Sequence, residues 1–380
     1  MSLIFENKTE GPKMHVLLIG VGGYRYLKEG MEPIDQEFDV AKDLEQLTSP
    51  PVSVEALYKC IKELHDAERW IVPLGSVQIL LSKAPQGKEV FPGEDLIPAT
   101  IENIQNEYEK WKKRCDEDSD NVAFFFFCGH GYEKDSLHLL LAEDFAKSSL
   151  NPFSGAFCFT ETRVGFQSCR AKTQLFFIDS CRGLTNDMLL NRFMANPLDP
   201  PSHTQTNCLY DLTQQSVARN KNAQGRMNSI SHYTNSLIKA LHGGISKKKD
   251  DGWVVSTSGI CGEMNTLMGI MNPGNAGIEK CSTSYSDSID LLHHPEAPQA
   301  EINIMCCPDE AHSAAGLHCS NLDTADEYRR EPEPQPQPWI FQGSAGMYRI
   351  SAEFNDNSFS NHVEYYPVEP PFMKTKIYIK

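Results

Sequence analysis

Apolar positions in this chain follow two patterns. Up to about residue 260 they form short solid runs separated by stretches at helical spacing; from Ala300 onward they alternate with polar positions. The solid runs are 14–20 (Met-His-Val-Leu-Leu-Ile-Gly), 76–81, 121–128 (Asn-Val-Ala-Phe-Phe-Phe-Phe-Cys), 137–141 and 175–178. Runs of this length and β-branched or aromatic content predict strands buried on both faces. Between them, Val54, Leu57, Ile61 and Leu64 recur at helical spacing within 52–70, and Ile101, Ile104, Tyr108 and Trp111 follow a Thr100 suited to cap a helix. A further helix is expected over 160–169 and another over 232–241. Strands alternating with helices predict an α/β fold, a mostly parallel sheet with helices on both faces and right-handed crossovers.

The remaining segments lack that order. Residues 31–51 hold three of the prolines in this part of the chain and predict a loop, and 184–231 is a long polar stretch with little periodicity. Loops of that length are functional or disordered. Residues 271–299, rich in Asn, Gly, Ser and Pro, predict a linker. Alternation at Ile302/Ile304, Tyr348/Ile350/Ala352/Phe354 and Ile377/Tyr378/Ile379 predicts a small antiparallel, sandwich-like β domain over 300–380, with an extended Pro-rich connector at 331–338. The expected organisation is therefore 1–270, a linker, and 300–380.

Composition narrows the function classes. A net charge of −16 argues against nucleic acid as a direct partner. No apolar run is long enough for membrane insertion, and residues 1–14 lack a signal-peptide core, so a cytoplasmic location is expected. The 12 cysteines are then mostly reduced and fall in no disulfide framework. Cys306-Cys307, His312, His318 and Cys319 lack the paired Cys-x-x-Cys spacing of zinc sites, so no metal site is predicted.

Two of the solid runs end in reactive groups. The 121–128 run leads into Gly129-His130-Gly131, and the 175–178 run into Asp179-Ser180-Cys181-Arg182-Gly183. Strand ends at the rim of an open α/β sheet are where ligands bind. A histidine and a cysteine at neighbouring strand ends form a general base and a thiol nucleophile when they meet. A free cysteine is also a small hydrophobe at home in a core. The paired motifs decide between these: Phe-Cys-Gly-His-Gly followed 51 residues later, cysteine after histidine, by Phe-Phe-Ile-Asp-Ser-Cys-Arg-Gly resembles the caspase/metacaspase superfamily of cysteine proteases, with Asp-Ser-Cys in the metacaspase or bacterial caspase-like form.

The resemblance, which covers about residues 13–260, implies a Cys181 nucleophile, a His130 base, and an oxyanion held by the backbone N–H groups of Cys181 and Gly131. It also implies that Asp179 helps bind a P1 Arg or Lys, with Ser53 and Cys128 beside it in the pocket; an Asp here also suits bracing of the loop that follows. The chain departs from the family at Ser53, where a second pocket aspartate is usual, and at Cys128, where serine is frequent. The expected activity is a cysteine endopeptidase acting on protein substrates after basic residues, without a cofactor for the chemistry. Arg219, Lys221, Arg226 and the 247–249 lysines are candidate self-processing sites, a solvated charge cluster being the more common meaning of such a run, and the family's settings are cell death and prokaryotic defence. Calcium activation stays open: Asp116-Glu117-Asp118 is acidic, but no EF-hand loop is present. A catalytically silent scaffold binding a regulatory partner through its β domain is the alternative, and a thiol-dependent acyl transferase or ligase a third reading.

Overall fold

The structure, a computed structural model of the whole chain, describes residues 1–35, 39–42, 44–134, 136–180, 183–184, 195–201, 207–216, 228–271, 281–333, 337–355 and 358–379. In chain order its first elements are β1 (Leu3–Glu6), β2 (Met14–Val21), α1 (Asp39–Lys42), α2 (Ser49–Asp66), β3 (Leu74–Ser82), α3 (Ile101–Cys115) and β4 (Val122–Gly129). Then come β5 (Gly131–Lys134), β6 (Leu137–Leu141), β7 (Ala156–Cys158), α4 (Phe159–Phe166), β8 (Thr173–Ser180), β9 (Gly183–Leu184), β10 (Tyr210–Ser216) and α5 (His232–Lys239). The rest are β11 (Lys247–Lys249), β12 (Gly252–Ser256), α6 (Thr257–Met271), β13 (Cys281–Tyr285), β14 (Asp290–His294), β15 (Gln299–Cys307), α7 (Asp309–Ala314), β16 (Gly316–Asn321), β17 (Glu327–Arg330), β18 (Trp339–Ser344), β19 (Gly346–Glu353), β20 (His362–Val368) and β21 (Phe372–Tyr378). They pack as two units, Met1–Ile238 with Met268–Ile289, and Lys239–Leu267 with Asp290–Lys380.

The first unit is built on a seven-stranded sheet of order β1-β3-β2-β4-β8-β10-β13. Its five inner strands are parallel, and its edge strands β1 and β13 run antiparallel to them. Every residue of β2, β4 and β8 is buried, which is why these strands read as solid apolar runs. Helices cover both faces. Trp111 of α3 packs on Phe125 of β4 and stacks on Phe166 of α4, while Val54 of α2 lies against Gly20 of β2 on the opposite face. A second sheet, β7-β6-β5-β9, stands beside the ends of β4 and β8.

Three sequence expectations need correction here. Helix α2 starts at Ser49 rather than beyond the prolines: Pro50 and Pro51 occupy its first turn, where a missing N–H breaks no intrahelical bond. Inner strand β10 lies in the stretch read as a featureless loop. Its sequence, Tyr-Asp-Leu-Thr-Gln-Gln-Ser, has one buried apolar residue, Leu212, and its buried polar groups are satisfied by partners such as Tyr233 Oη, which donates to the Gln214 carbonyl at 3.3 Å. The stretch read as a linker carries β13 and β14.

In the second unit two sheets, β18-β15-β21 and β17-β16-β19-β20, face each other over a core including Ile302, Ile304, Tyr348, Ile350 and Ile377. The alternation there fits strands buried on one face, but the unit is not wholly antiparallel, because β15 and β21 pair in parallel. The lysines Lys247, Lys248 and Lys249 form strand β11 and pair with Glu369, Asp323 and Asp290. Among the described residues, no helix is long and apolar enough to cross a membrane.

Candidate active site

Strands β4 and β8 run side by side with Cys128 opposite Asp179 and Gly129 opposite Ser180. His130 and Cys181 are the next residues in each chain. Tyr132 of β5 lies opposite Gly183 of β9. Cys181 and Arg182 lie outside the described residues, as do Arg219, Lys221 and Arg226. Gly131 opens β5 and pairs with Leu140 of β6.

The His130 ring is held on two sides. Its Nε2 lies 2.8 Å from the Glu45 carbonyl oxygen, which only accepts, so Nε2 carries the proton and donates it. The neutral ring then keeps its lone pair on Nδ1. Tyr24, in the turn after β2, packs its ring 4.9 Å from the imidazole, and its Oη accepts the His130 N–H at 2.7 Å. Tyr24 is itself fixed by Gln46, whose Oε1 accepts the Tyr24 N–H at 2.8 Å and whose Nε2 donates to the Tyr24 carbonyl at 2.9 Å. The turn that carries Tyr24 requires glycine: a Cβ at Gly22 would lie 2.4 Å from the Leu47 carbonyl oxygen, and one at Gly23 2.4 Å from that of Lys83.

Cys128 touches Asp179 directly, and Ser53 is linked to Asp179 through Ser231. Asp179 is 2% exposed. Its Oδ2 accepts from Ser231 Oγ, from Thr234 Oγ1 at 2.7 Å and from Cys128 Sγ at 3.5 Å. Oδ1 accepts none of these bonds. Ser231 caps α5, its Oγ accepting the Thr234 N–H at 3.0 Å, and its own N–H donates to Ser53 Oγ at 2.9 Å. Burial pushes the Asp179 carboxyl up, against the opposing pull of the bonds from Ser231, Thr234 and Cys128. Ser231 and Thr234 carry no motif that singles them out in the sequence.

A second buried histidine lies on the other side of β8. His138 of β6 sits 3.0 Å from Ser180 Oγ through Nε2 and 2.8 Å from Gln215 Oε1 through Nδ1. Nothing in its sequence setting marks it as part of the site.

Three of the other thiols are buried in the first unit. Burial pushes Cys60 and Cys169 up to about 12 and Cys158 up to about 11, so none of the three is a thiolate at neutral pH. In the second unit, both His312 ring nitrogens are engaged: Nδ1 accepts the Cys306 N–H at 3.0 Å, and Nε2 lies 2.6 Å from the Gln337 carbonyl oxygen and 2.6 Å from Arg330 Nη1. Among the described residues, no group of three His, Cys, Asp or Glu side chains is placed to hold a metal ion. In the acidic 116–118 stretch, Asp116 accepts the Arg170 N–H at 2.6 Å and Asp118 the Asp120 N–H at 2.9 Å.

Comparison with known proteins adds three findings. The family model described as the caspase domain, Peptidase_C14, matches residues 15–257. The uncharacterized protein y4kE of Sinorhizobium fredii (strain NBRC 101917 / NGR234) is 25% identical over 230 residues, 57% of this chain and 63% of that protein. The solved structure of pro-sf-caspase-1 aligns with a TM-score of 0.37 and 11% identity, over 73% of this chain and 93% of that one.

Proposed function

The chain belongs to the caspase-domain family, and from that premise we propose that it is a cysteine endopeptidase that cleaves proteins after Arg or Lys, with Cys181 as nucleophile and His130 as base. The observation that carries the reading is the His130 ring, anchored through Nε2 to the Glu45 carbonyl at the strand end beside β8. That anchor commits Nδ1 to proton transfer. Nδ1 takes the Cys181 thiol proton, and the thiolate adds to the scissile carbonyl carbon. The backbone N–H groups of Cys181 and Gly131 hold the oxyanion. The tetrahedral intermediate collapses as His130 returns its proton to the leaving amine, leaving a thioester. Water, deprotonated by His130, adds to that thioester; the second collapse releases the carboxylate product and the thiol.

The pocket around Asp179 supports a basic P1. Three donors brace Oδ2, so Oδ1 is the oxygen left to meet a guanidinium or ammonium, and the charge-assisted bond replaces part of the solvation that burial removes. Self-processing belongs to the same proposal, at Arg219, Lys221 or Arg226; the lysines of β11 are less suited, being held in a paired strand. A peptide library read with and without calcium tests the activity and the cofactor together. Cleavage after Arg or Lys that is abolished by Cys181→Ala is the expected result; cleavage after Asp, or none beyond the Cys181→Ala background, refutes it. A role in cell death or prokaryotic defence is the setting that family membership suggests.

A further inference from the structure

We propose that His138 is a positioning residue for the reaction: through Ser180 it fixes the chain that carries Cys181 against the strand pair that carries Gly131. This rests on the proposed peptidase reading, because it concerns the geometry of that same site.

The three polar partners come from three different strands. His138 is on β6, Ser180 closes β8, and Gln215 is near the end of β10. Gln215 Oε1 accepts, so His138 Nδ1 is the donor in that 2.8 Å bond; Nε2 is then the acceptor for the Ser180 hydroxyl 3.0 Å away. The ring is fixed further. The His138 N–H donates to Thr160 Oγ1 at 2.9 Å, and the Phe159 ring meets the imidazole edge-on at 6.3 Å. His138 is 3% exposed and Ser180 1%.

The placement links the two halves of the site. β6 pairs with β5 so that Leu140 lies opposite Gly131, while Ser180 lies opposite Gly129 and precedes Cys181 by one peptide bond. The His138–Ser180 bond therefore ties the side sheet, which carries Gly131, to the main sheet at the residue that precedes the proposed nucleophile in sequence. Successive side chains of a strand point to opposite faces, so Asp179 and Ser180 brace the end of β8 from its two faces. Asp179 is held by Ser231 and Thr234 on one, and Ser180 by His138 on the other. Ser180 is too deeply buried to attack a substrate itself. Its hydroxyl serves to hold backbone, and small displacements at a reacting centre cost rate steeply.

The test is a cycle of His138→Ala, Ser180→Ala and the double variant in the full chain, with Cys181→Ala as the blank. Each is assayed for kcat and KM on an Arg-ending peptide and for the rate at which iodoacetamide alkylates Cys181 at pH 7, followed by mass spectrometry. In each single variant kcat is expected to fall about 10- to 100-fold with KM within about twofold. The double variant should fall no further than the worse single, because the two residues act as one. Cys181 alkylation is expected to slow about tenfold as the thiol moves off its base. Unchanged kcat and alkylation in His138→Ala, or losses that multiply in the double variant, overturn the proposal. A loss matched by a fall in the folded fraction, with kcat per folded molecule intact, overturns it too. If the wild-type chain cleaves no peptide, the peptidase reading fails separately, and the alkylation rates still decide the role of His138.

Discussion

Replacing Asp179 by Asn isolates the charge at the base of the pocket. The two side chains are nearly the same size, and the amide can donate to the Ser231 and Thr234 hydroxyl oxygens that now donate to Oδ2. The fold should therefore survive. Burial pushes the Asp179 carboxyl up, so the folded state binds its proton more tightly than the unfolded state, and ionising it at neutral pH costs stability. Asp179→Asn is accordingly expected to unfold at the same or a higher urea concentration at pH 7. Activity should move the other way. Removing one member of a buried, hydrogen-bonded charge pair costs about 2–5 kcal/mol, which is about 30-fold to more than a thousandfold in kcat/KM on an Arg-ending peptide. A peptide with a neutral residue at P1 should lose little. The pH dependence carries the same signature. In the wild type, the Arg-to-neutral selectivity ratio should fall as pH drops, starting above the ordinary carboxylate range; in Asp179→Asn it should be flat. Equal losses on Arg and neutral peptides, or an unchanged ratio, would refute the reasoning and leave Asp179 only bracing Ser231.

Three further outcomes follow from the surroundings of His130 and from the core. Tyr24→Phe keeps the ring beside His130 but leaves the His130 N–H unpaired in a buried site, at about 1–3 kcal/mol; thermal melting and kcat should both drop. Gly22→Ala puts a Cβ against the Leu47 carbonyl oxygen and so shifts the loop that presents the Glu45 carbonyl; kcat should fall at least about tenfold, measured beside a circular-dichroism check of the fold. His15 is lowered from 6.5 to about 4, chiefly by burial, so its stabilisation is full above pH 6.5 and is lost as pH falls toward 4. Urea titrations at pH 7, 5 and 4 should show a loss of about 3 kcal/mol that His15→Gln flattens.

The sheet was legible in the sequence where burial is two-sided. β2 and β4 are apolar at nearly every position and β8 is apolar from Leu175 to Ile178, and Thr100 caps α3 through its Oγ1, 3.3 Å from the Asn103 N–H. β10 was not legible, because an inner strand whose polar side chains find partners on other elements has no hydrophobic period. The two motifs at the ends of β4 and β8 were legible, whereas the Cys128–Asp179 contact and the Ser231 link to Ser53 carry no local pattern. Glu45 acts through its carbonyl, which any residue would supply, so its sequence says nothing. Ser231, Thr234 and His138 reach the site by tertiary packing, His138 from a short strand whose local pattern reads as ordinary core.

The central claim is that Cys181 is a thiol activated by His130. Treating the full chain with an Arg-ending chloromethyl ketone peptide and mapping the adduct by mass spectrometry tests it most directly. The account predicts one adduct, at Cys181, that disappears in His130→Ala while the other cysteines stay unmodified. An adduct at a different cysteine, or labelling of Cys181 at an undiminished rate in His130→Ala, would contradict it.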